Sequence, residues 1–88
     1  MKLFCDLEKS KRVSKNGTNY EVTIITIKCD CGVSMIIEDF KVNIPFDVSD
    51  MEITIIKDTN NRYVIPQLNY TIGWAYSMGV SLLLAHKH

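Results

Sequence analysis

The chain of 88 residues has ten basic and ten acidic side chains, so its formal net charge is zero. This length fits one small domain with a modest core, and the charge balance excludes a general attraction to nucleic acid or to an anionic membrane surface. The three cysteines are an odd number, and residues 1–6 lack the apolar segment of a secretory signal. Both features predict a reducing, cytoplasmic location without a disulfide framework.

The first predicted strand covers residues 2–8, where Leu3, Cys5 and Leu7 share one apolar face. A polar and basic run follows it as far as residue 19. This run contains an Asn-Gly pair, which is typical of a two-residue hairpin turn because both positions tolerate positive φ.

The second predicted strand covers residues 20–28, and its apolar positions change phase in the middle. That change indicates either a bulge or burial on both faces. A turn at 29–32 and a third strand at 33–37 follow. Apolar and polar residues then alternate over 40–46, which is the clearest strand pattern in the chain.

Residues 47–50 are predicted to form a loop, and residues 51–55 a further strand. A turn at 58–61 leads into a short return strand that ends near Ile65. Strand patterns separated by turn signals at regular spacing predict antiparallel pairing. A run of strands followed by one helix predicts an α+β fold, with a small antiparallel sheet of about five to six short strands and one C-terminal helix packed on it.

On this interpretation residues 1–88 form a single domain, with a β-rich part at 1–66 and the helix at 67–88. Asn69 is the expected N-cap of that helix, which begins at Tyr70. Apolar residues at helical spacing share one face of this helix: Ile72, Ala75, Tyr76, Gly79, Leu82, Leu83 and His86. The opposite side carries a small-residue line edged by larger side chains: Gly73, Ser77 and Ser81, with Tyr70, Trp74, Met78 and Ala85.

Three interpretations of this terminal segment are open, because residues 63–85 carry no charge. The helix is buried on most sides, or it packs one face on the sheet and presents the small-residue line to a partner such as a second copy of the chain. The third interpretation is a transmembrane segment, since a span needs about 20 apolar residues.

Cys29 and Cys31 are the one motif-like feature, because two thiolates in a tight turn can point at one metal ion. Structural zinc requires four ligands, so Cys5, His86 or His88 would have to complete the site. The only histidines lie at the end of the chain, and no catalytic constellation is recognisable. The sequence therefore predicts a protein that is not an enzyme and has no required cofactor, with zinc as an alternative.

Charged residues are unevenly distributed along the chain. A basic group, predicted as an alternative nucleic-acid contact with Tyr20 nearby for stacking, consists of Lys9, Lys11, Arg12 and Lys15. An acidic group, predicted to attract a basic surface of the partner, consists of Asp47, Asp50 and Glu52.

The leading functional hypothesis is a non-enzymatic protein-binding module that acts as an inhibitor or adaptor. Its expected interface comprises Gly73, Trp74, Ser77, Met78 and Ser81, together with the acidic group, and the partner is another protein or a second copy in a homodimer. The composition, rich in Ile, Lys and Asn, is associated with phage and mobile-element accessory proteins, including inhibitors of host defence.

Two alternatives belong to other functional classes. One is a small zinc- or nucleic-acid-binding module that uses the Cys29/Cys31 turn and the basic group. The other is a small-ligand-binding protein whose pocket lies between sheet and helix and is lined by Trp74, Tyr76 and Phe40.

Overall fold

The computed structural model describes residues 2–40, 42 and 47–86. Within them, seven strands form two antiparallel sheets, and one α-helix packs against the larger sheet, so the predicted α+β class is confirmed. The elements are β1 (Leu3–Val13), β2 (Asn19–Cys29), β3 (Ser34–Asp39), β4 (Val48–Ile53), β5 (Ile56–Lys57), β6 (Tyr63–Ile65), β7 (Tyr70–Thr71) and α1 (Ser77–Ala85). The larger sheet has the order β3-β2-β1-β4 and the smaller has the order β5-β6-β7. The single predicted sheet is thus replaced by two.

The long hairpin of β1 and β2 is the centre of the larger sheet. Its pairing runs without a break from Leu3 opposite Cys29 to Val13 opposite Asn19. Residues 9–13 of the basic run therefore belong to β1, because pairing with β2 satisfies their backbone groups independently of their side chains. The change of phase in β2 is not a bulge. Alternate residues face opposite sides of the sheet, and Val22, on the outer side, is still only 8% exposed.

Three hairpins share one type of three-residue loop. In the first, the Ser14 N–H donates to the Thr18 carbonyl at 2.9 Å and the Gly17 N–H donates to the Ser14 carbonyl at 3.0 Å. The same pair of bonds closes the loops that begin at Cys29 and at Asp58. The predicted two-residue turn at Asn16-Gly17 is therefore wrong, since only the glycine of that pair has positive φ.

The start of β4 corrects the predicted loop at 47–50. Val48 pairs with Leu7, and the β1–β4 register then shifts before Cys5 pairs with Met51. Asp50 adopts a φ of 51° at this irregularity, and its N–H donates to Asp6 Oδ1 at 2.8 Å. A bulge of this kind lets a polar segment stay in the sheet.

The strand predicted over residues 40–46 lies mostly outside the described residues, which lack 41 and 43–46. Phe40 and Val42 are described, and neither belongs to a strand. Phe40 follows the end of β3, and Val42 accepts a hydrogen bond from the Thr23 hydroxyl at its carbonyl oxygen.

The helix predicted to begin at Tyr70 begins at Ser77 instead. Asn69 has a φ of 49° and follows the 3₁₀ turn Pro66–Leu68, so it does not act as an α-helix N-cap. Tyr70 and Thr71 pair with β6, and the Ile72 N–H donates to the Tyr63 carbonyl at 2.8 Å. Because strand pairing satisfies these backbone groups, the chain forms a helix only after the second 3₁₀ turn, Trp74–Tyr76.

The core lies between the inner face of the larger sheet and a layer made of α1 and the smaller sheet. Its buried members are Leu3, Cys5, Leu7, Ile25, Ile27, Cys29, Ile37, Ile53, Ile65, Ile72, Val80 and Leu83. Val80 and Leu83 are the buried side chains of α1. The predicted apolar face does not coincide with this buried face, because Ala75, Leu82 and His86 are exposed. The segment is apolar on every side, so spacing alone does not identify the face that meets the core.

The described part of the chain contains no helix with the length and apolar character needed to cross a membrane. The transmembrane interpretation of residues 63–85 is wrong for these residues, since they form two short strands, two 3₁₀ turns and a nine-residue helix.

Candidate protein-docking surface

Three large apolar side chains form an exposed row along α1 and the turn before it. Trp74 is 68% exposed, Met78 is 77% exposed and Leu82 is 68% exposed. Met78 and Leu82 are four residues apart in α1 and therefore lie on the same side of it, and Trp74 lies in the 3₁₀ turn immediately before the helix. We call these three residues the α1 stripe. Together they offer roughly 400 Å² of apolar surface, which is the size of the functional patches found on monomeric proteins.

The orientation of the α1 stripe is fixed by contacts on the other side of the helix. Val80 and Leu83 are buried in the core. A side chain added at Gly79 would lie 3.2 Å from Met35 Cε of β3, so the helix backbone packs directly on that strand. The Tyr63 and Ser81 hydroxyls are 2.7 Å apart. These contacts prevent the helix from rotating the stripe towards the core.

Tyr76 fixes the beginning of the helix against the edge of the sheet. Its hydroxyl donates to the Glu38 carbonyl at 3.2 Å and accepts from the Glu38 N–H at 3.3 Å. β3 is an edge strand, and these bonds occupy backbone groups that an edge strand would leave unpaired. The Tyr70 hydroxyl donates to Asp39 Oδ2 at 2.8 Å nearby. Burial first, and then this hydrogen bond to the carboxylate, raise the pKa of Tyr70 above its usual value.

The predicted interface residues on the helix do not all share one surface. Gly73 is exposed in extended backbone before the helix, and Ser77 is half-buried. Ser81 is exposed and its hydroxyl bonds to Tyr63. Trp74 and Met78, predicted at the border of the small-residue line, are its large exposed apolar members. Leu82 was not among the predicted interface residues, because its spacing placed it on the apolar face opposite the small-residue line.

The predicted acidic group is partly neutralised. Asp50 Oδ1 binds Lys28 Nζ, which also lies 3.0 Å from Asp6 Oδ2. The hydrogen bond to Asp50 is the main reason that the pKa of Lys28 is raised. The Asp50 N–H and then Lys28 lower the pKa of Asp6.

The other two members of the acidic group, Asp47 and Glu52, are both exposed. Asp47 Oδ1 accepts a hydrogen bond from the Lys9 N–H at 3.4 Å. Glu52 pairs with Phe4 across the β1–β4 ladder. The three predicted acidic residues thus lie along β4 and the residue before it, and two of them bind groups of their own chain.

The predicted basic group is divided by the alternation of β1. Lys9 and Lys11 lie on one face of the strand and Arg12 on the other, while Lys15 lies in the loop that follows. Lys9 Nζ is 3.8 Å from Glu21, and Arg12 Nη2 is 3.3 Å from Glu38. The structure does not bring the four cations to one surface.

The cysteine turn offers two sulfur ligands. Cys29 is buried at the end of β2, and Cys31 is exposed in the loop. Within the described residues, no group of three or more His, Cys, Asp or Glu side chains is placed to hold a metal ion. Cys5 is buried in the core and His88 lies outside the described residues. Two thiols are two ligands short of a structural zinc site.

The predicted ligand pocket between sheet and helix is not formed by its three predicted residues. Trp74 is largely exposed and Phe40 is 72% exposed. Tyr76 is half-buried, and its hydroxyl is engaged by Glu38. Two of these three aromatic rings lie on the surface and cannot enclose a small molecule between the two layers.

Comparison with known proteins gives no match: neither a family model nor a curated protein nor a solved structure corresponds significantly to this chain.

Proposed function

We propose that this chain is a non-enzymatic protein-binding module, an inhibitor or adaptor, that docks another protein on the α1 stripe. The observation that supports this proposal is the exposure of Trp74, Met78 and Leu82 along α1 and the turn before it, while the other side of the helix is anchored in the core. Large apolar side chains grouped on a surface usually mark an interface. The association with phage and mobile-element accessory proteins stays a prediction.

The chemistry of the α1 stripe indicates the type of partner surface. Residues 63–85 carry no charged side chain, so docking there leaves no charge of this segment buried without a partner. Trp is among the residues most enriched at the energetic centre of interfaces. A helix that presents apolar residues four apart fits an apolar groove on its partner.

The size of the α1 stripe limits what it can do alone. A stable interface buries about 800 Å² on each partner, roughly twice what the stripe offers. The stripe is therefore the apolar centre of the proposed interface, and neighbouring exposed residues such as Ala75 and Ala85 form its border.

Affinity purification with matched variants tests this proposal. Met78→Arg places a charge in the centre of the α1 stripe, and Ile36→Arg places one at a 59% exposed apolar residue of β3. Both variants should remain folded, since both side chains are exposed. A specific partner should copurify with the wild type and with Ile36→Arg, and its recovery should fall at least tenfold with Met78→Arg. Equal recovery of the same proteins by all three forms would refute the proposal.

A homodimer is the second candidate, and the symmetry of the α1 stripe favours it. Two copies of α1 in antiparallel contact would place Met78 against Met78 and Trp74 against Leu82, and the absence of charge removes repulsion between the copies. The area available predicts weak association. Sedimentation velocity should show dimer growing with concentration in the wild type and monomer throughout for Met78→Arg. Concentration-independent monomer in both proteins would exclude this candidate.

A further inference from the structure

The loop after β2 holds two cysteines in a conformation suited to a disulfide. The Cys29 N–H donates to the Val33 carbonyl at 2.8 Å, and the Gly32 N–H donates to the Cys29 carbonyl at 2.9 Å. These bonds fold the chain back over three residues, with Gly32 at a φ of 98°. Residues two apart in such a turn fall within the roughly 4.4–6.8 Å between Cα atoms that a disulfide requires.

The two free thiols belong to the same three-residue loop, one at each side of Asp30. Cys29 Sγ donates to Asp30 Oδ1 at 3.3 Å. Burial is the main reason that the pKa of Cys29 is raised. Cys31 is exposed, so the pair has one thiol that reagents can reach and one that is shielded.

We propose that Cys29 and Cys31 form a reversible disulfide within this loop by exchange with a low-molecular-weight disulfide such as oxidised glutathione. The Cys31 thiolate attacks one sulfur of glutathione disulfide and releases one glutathione thiolate. The Cys29 thiolate then attacks the Cys31 sulfur and releases the second glutathione. Both cysteine protons pass to the released glutathione thiolates or to solvent, and the two cysteines are oxidised as one glutathione disulfide is reduced to two thiols.

The size of the loop determines what this disulfide does. A crosslink that closes a longer loop stabilises a protein more, and this loop spans only three residues. The disulfide therefore adds little to stability, and the loop acts as a modification site whose state follows the surrounding thiol–disulfide balance. Cys5 takes no part, because it is fully enclosed in the core on β1.

Equilibration of the purified full chain in glutathione buffers tests this proposal. Wild type in the most oxidising buffer should lose the mass of two hydrogen atoms, two of its three thiols should resist maleimide labelling after denaturation, and peptide mapping should link Cys29 to Cys31. Excess reduced glutathione should restore all three thiols.

Cys31→Ser is the control variant, since its side chain is exposed and the fold should be preserved. It should show no crosslink within the chain under the same conditions. Three free thiols in the oxidised wild type, a stable glutathione adduct on Cys31, or a crosslink that includes Cys5 would each overturn the proposal.

Discussion

At the scale of single residues, three positions with positive φ close the three hairpins: Gly17, Gly32 and Asn61. Asparagine reaches this conformation at a cost that glycine does not have. Asn61→Gly removes this cost, but glycine also has more conformational entropy in the unfolded chain, which opposes the gain. The net result should be a free energy of unfolding that is higher by about 0.5 kcal/mol. Asn60→Gly is the matched control, because Asn60 is not among the positive-φ residues. This variant should lower the free energy of unfolding by about 0.5–1 kcal/mol. Urea unfolding measures both, and a loss of stability in Asn61→Gly equal to that in Asn60→Gly would contradict this account.

A second residue-scale prediction concerns Cys5, whose pKa is raised from 9.0 to about 11, mainly by burial. Between these values the unfolded chain releases the thiol proton and the folded chain retains it, so stability falls as the pH rises through this window. The loss attributable to Cys5 reaches about 2 kcal/mol. Urea unfolding in reductant at about pH 8 and about pH 10.5 should show a larger loss in the wild type than in Cys5→Ala, although the variant starts from lower stability. An equal loss in both proteins would exclude this role for Cys5.

At the scale of elements, α1 packs on β3 through Gly79 and Met35. Gly79→Ala should be neutral or stabilising by up to about 1 kcal/mol, because alanine favours a helix and the methyl end of Met35 can move by a few tenths of an ångström. Gly79→Leu should destabilise by about 2 kcal/mol or more, since its larger side chain separates the helix from the strand. Ala85→Leu adds the same side chain at an exposed position of the helix and is the control. Equal thermal stability of the two leucine variants would show that the helix does not pack on β3 in this way.

The sequence predicted the elements of the first half better than those of the second. Leu3, Cys5 and Leu7 alternate with polar residues, and this pattern correctly identified the core face of β1. The continuation of β1 to Val13 could not be predicted from its side chains, because the pairing with β2 stabilises it. The start of α1 was missed for the same reason, since the pairing of Tyr70 and Thr71 with β6 overrides their helical spacing.

The candidate docking surface could also be predicted only in part from the pattern of side chains. Trp74 and Met78 were predicted as interface residues and are exposed, but their assignment to a docking surface stays a prediction. Leu82 follows them at the same spacing, and nothing in a segment that is apolar on every side distinguishes it from buried Leu83. The distinction comes from Gly79, which positions the helix on β3 and thereby selects the side that faces out.

At the scale of the whole molecule, the described residues extend over 44 × 28 × 21 Å, with the long β1–β2 hairpin at the centre of the larger sheet. The core lies on the inner face of that sheet, and α1 covers part of it. The α1 stripe is then left on the surface of a chain whose net charge is zero. Because a net charge of zero supplies no long-range electrostatic attraction, we expect the proposed docking on the α1 stripe to depend on local apolar contact.

Photo-crosslinking in the native host tests this central claim most directly. A photoreactive amino acid would replace Met78 in one protein and exposed Lys15, in the loop after β1, in another. The account predicts that irradiation joins position 78 to one defined protein, or to a second copy of the chain, and that position 15 gives no such product. Position 78 without any specific product, or the same products from both positions, would contradict the assignment of the α1 stripe as a docking surface.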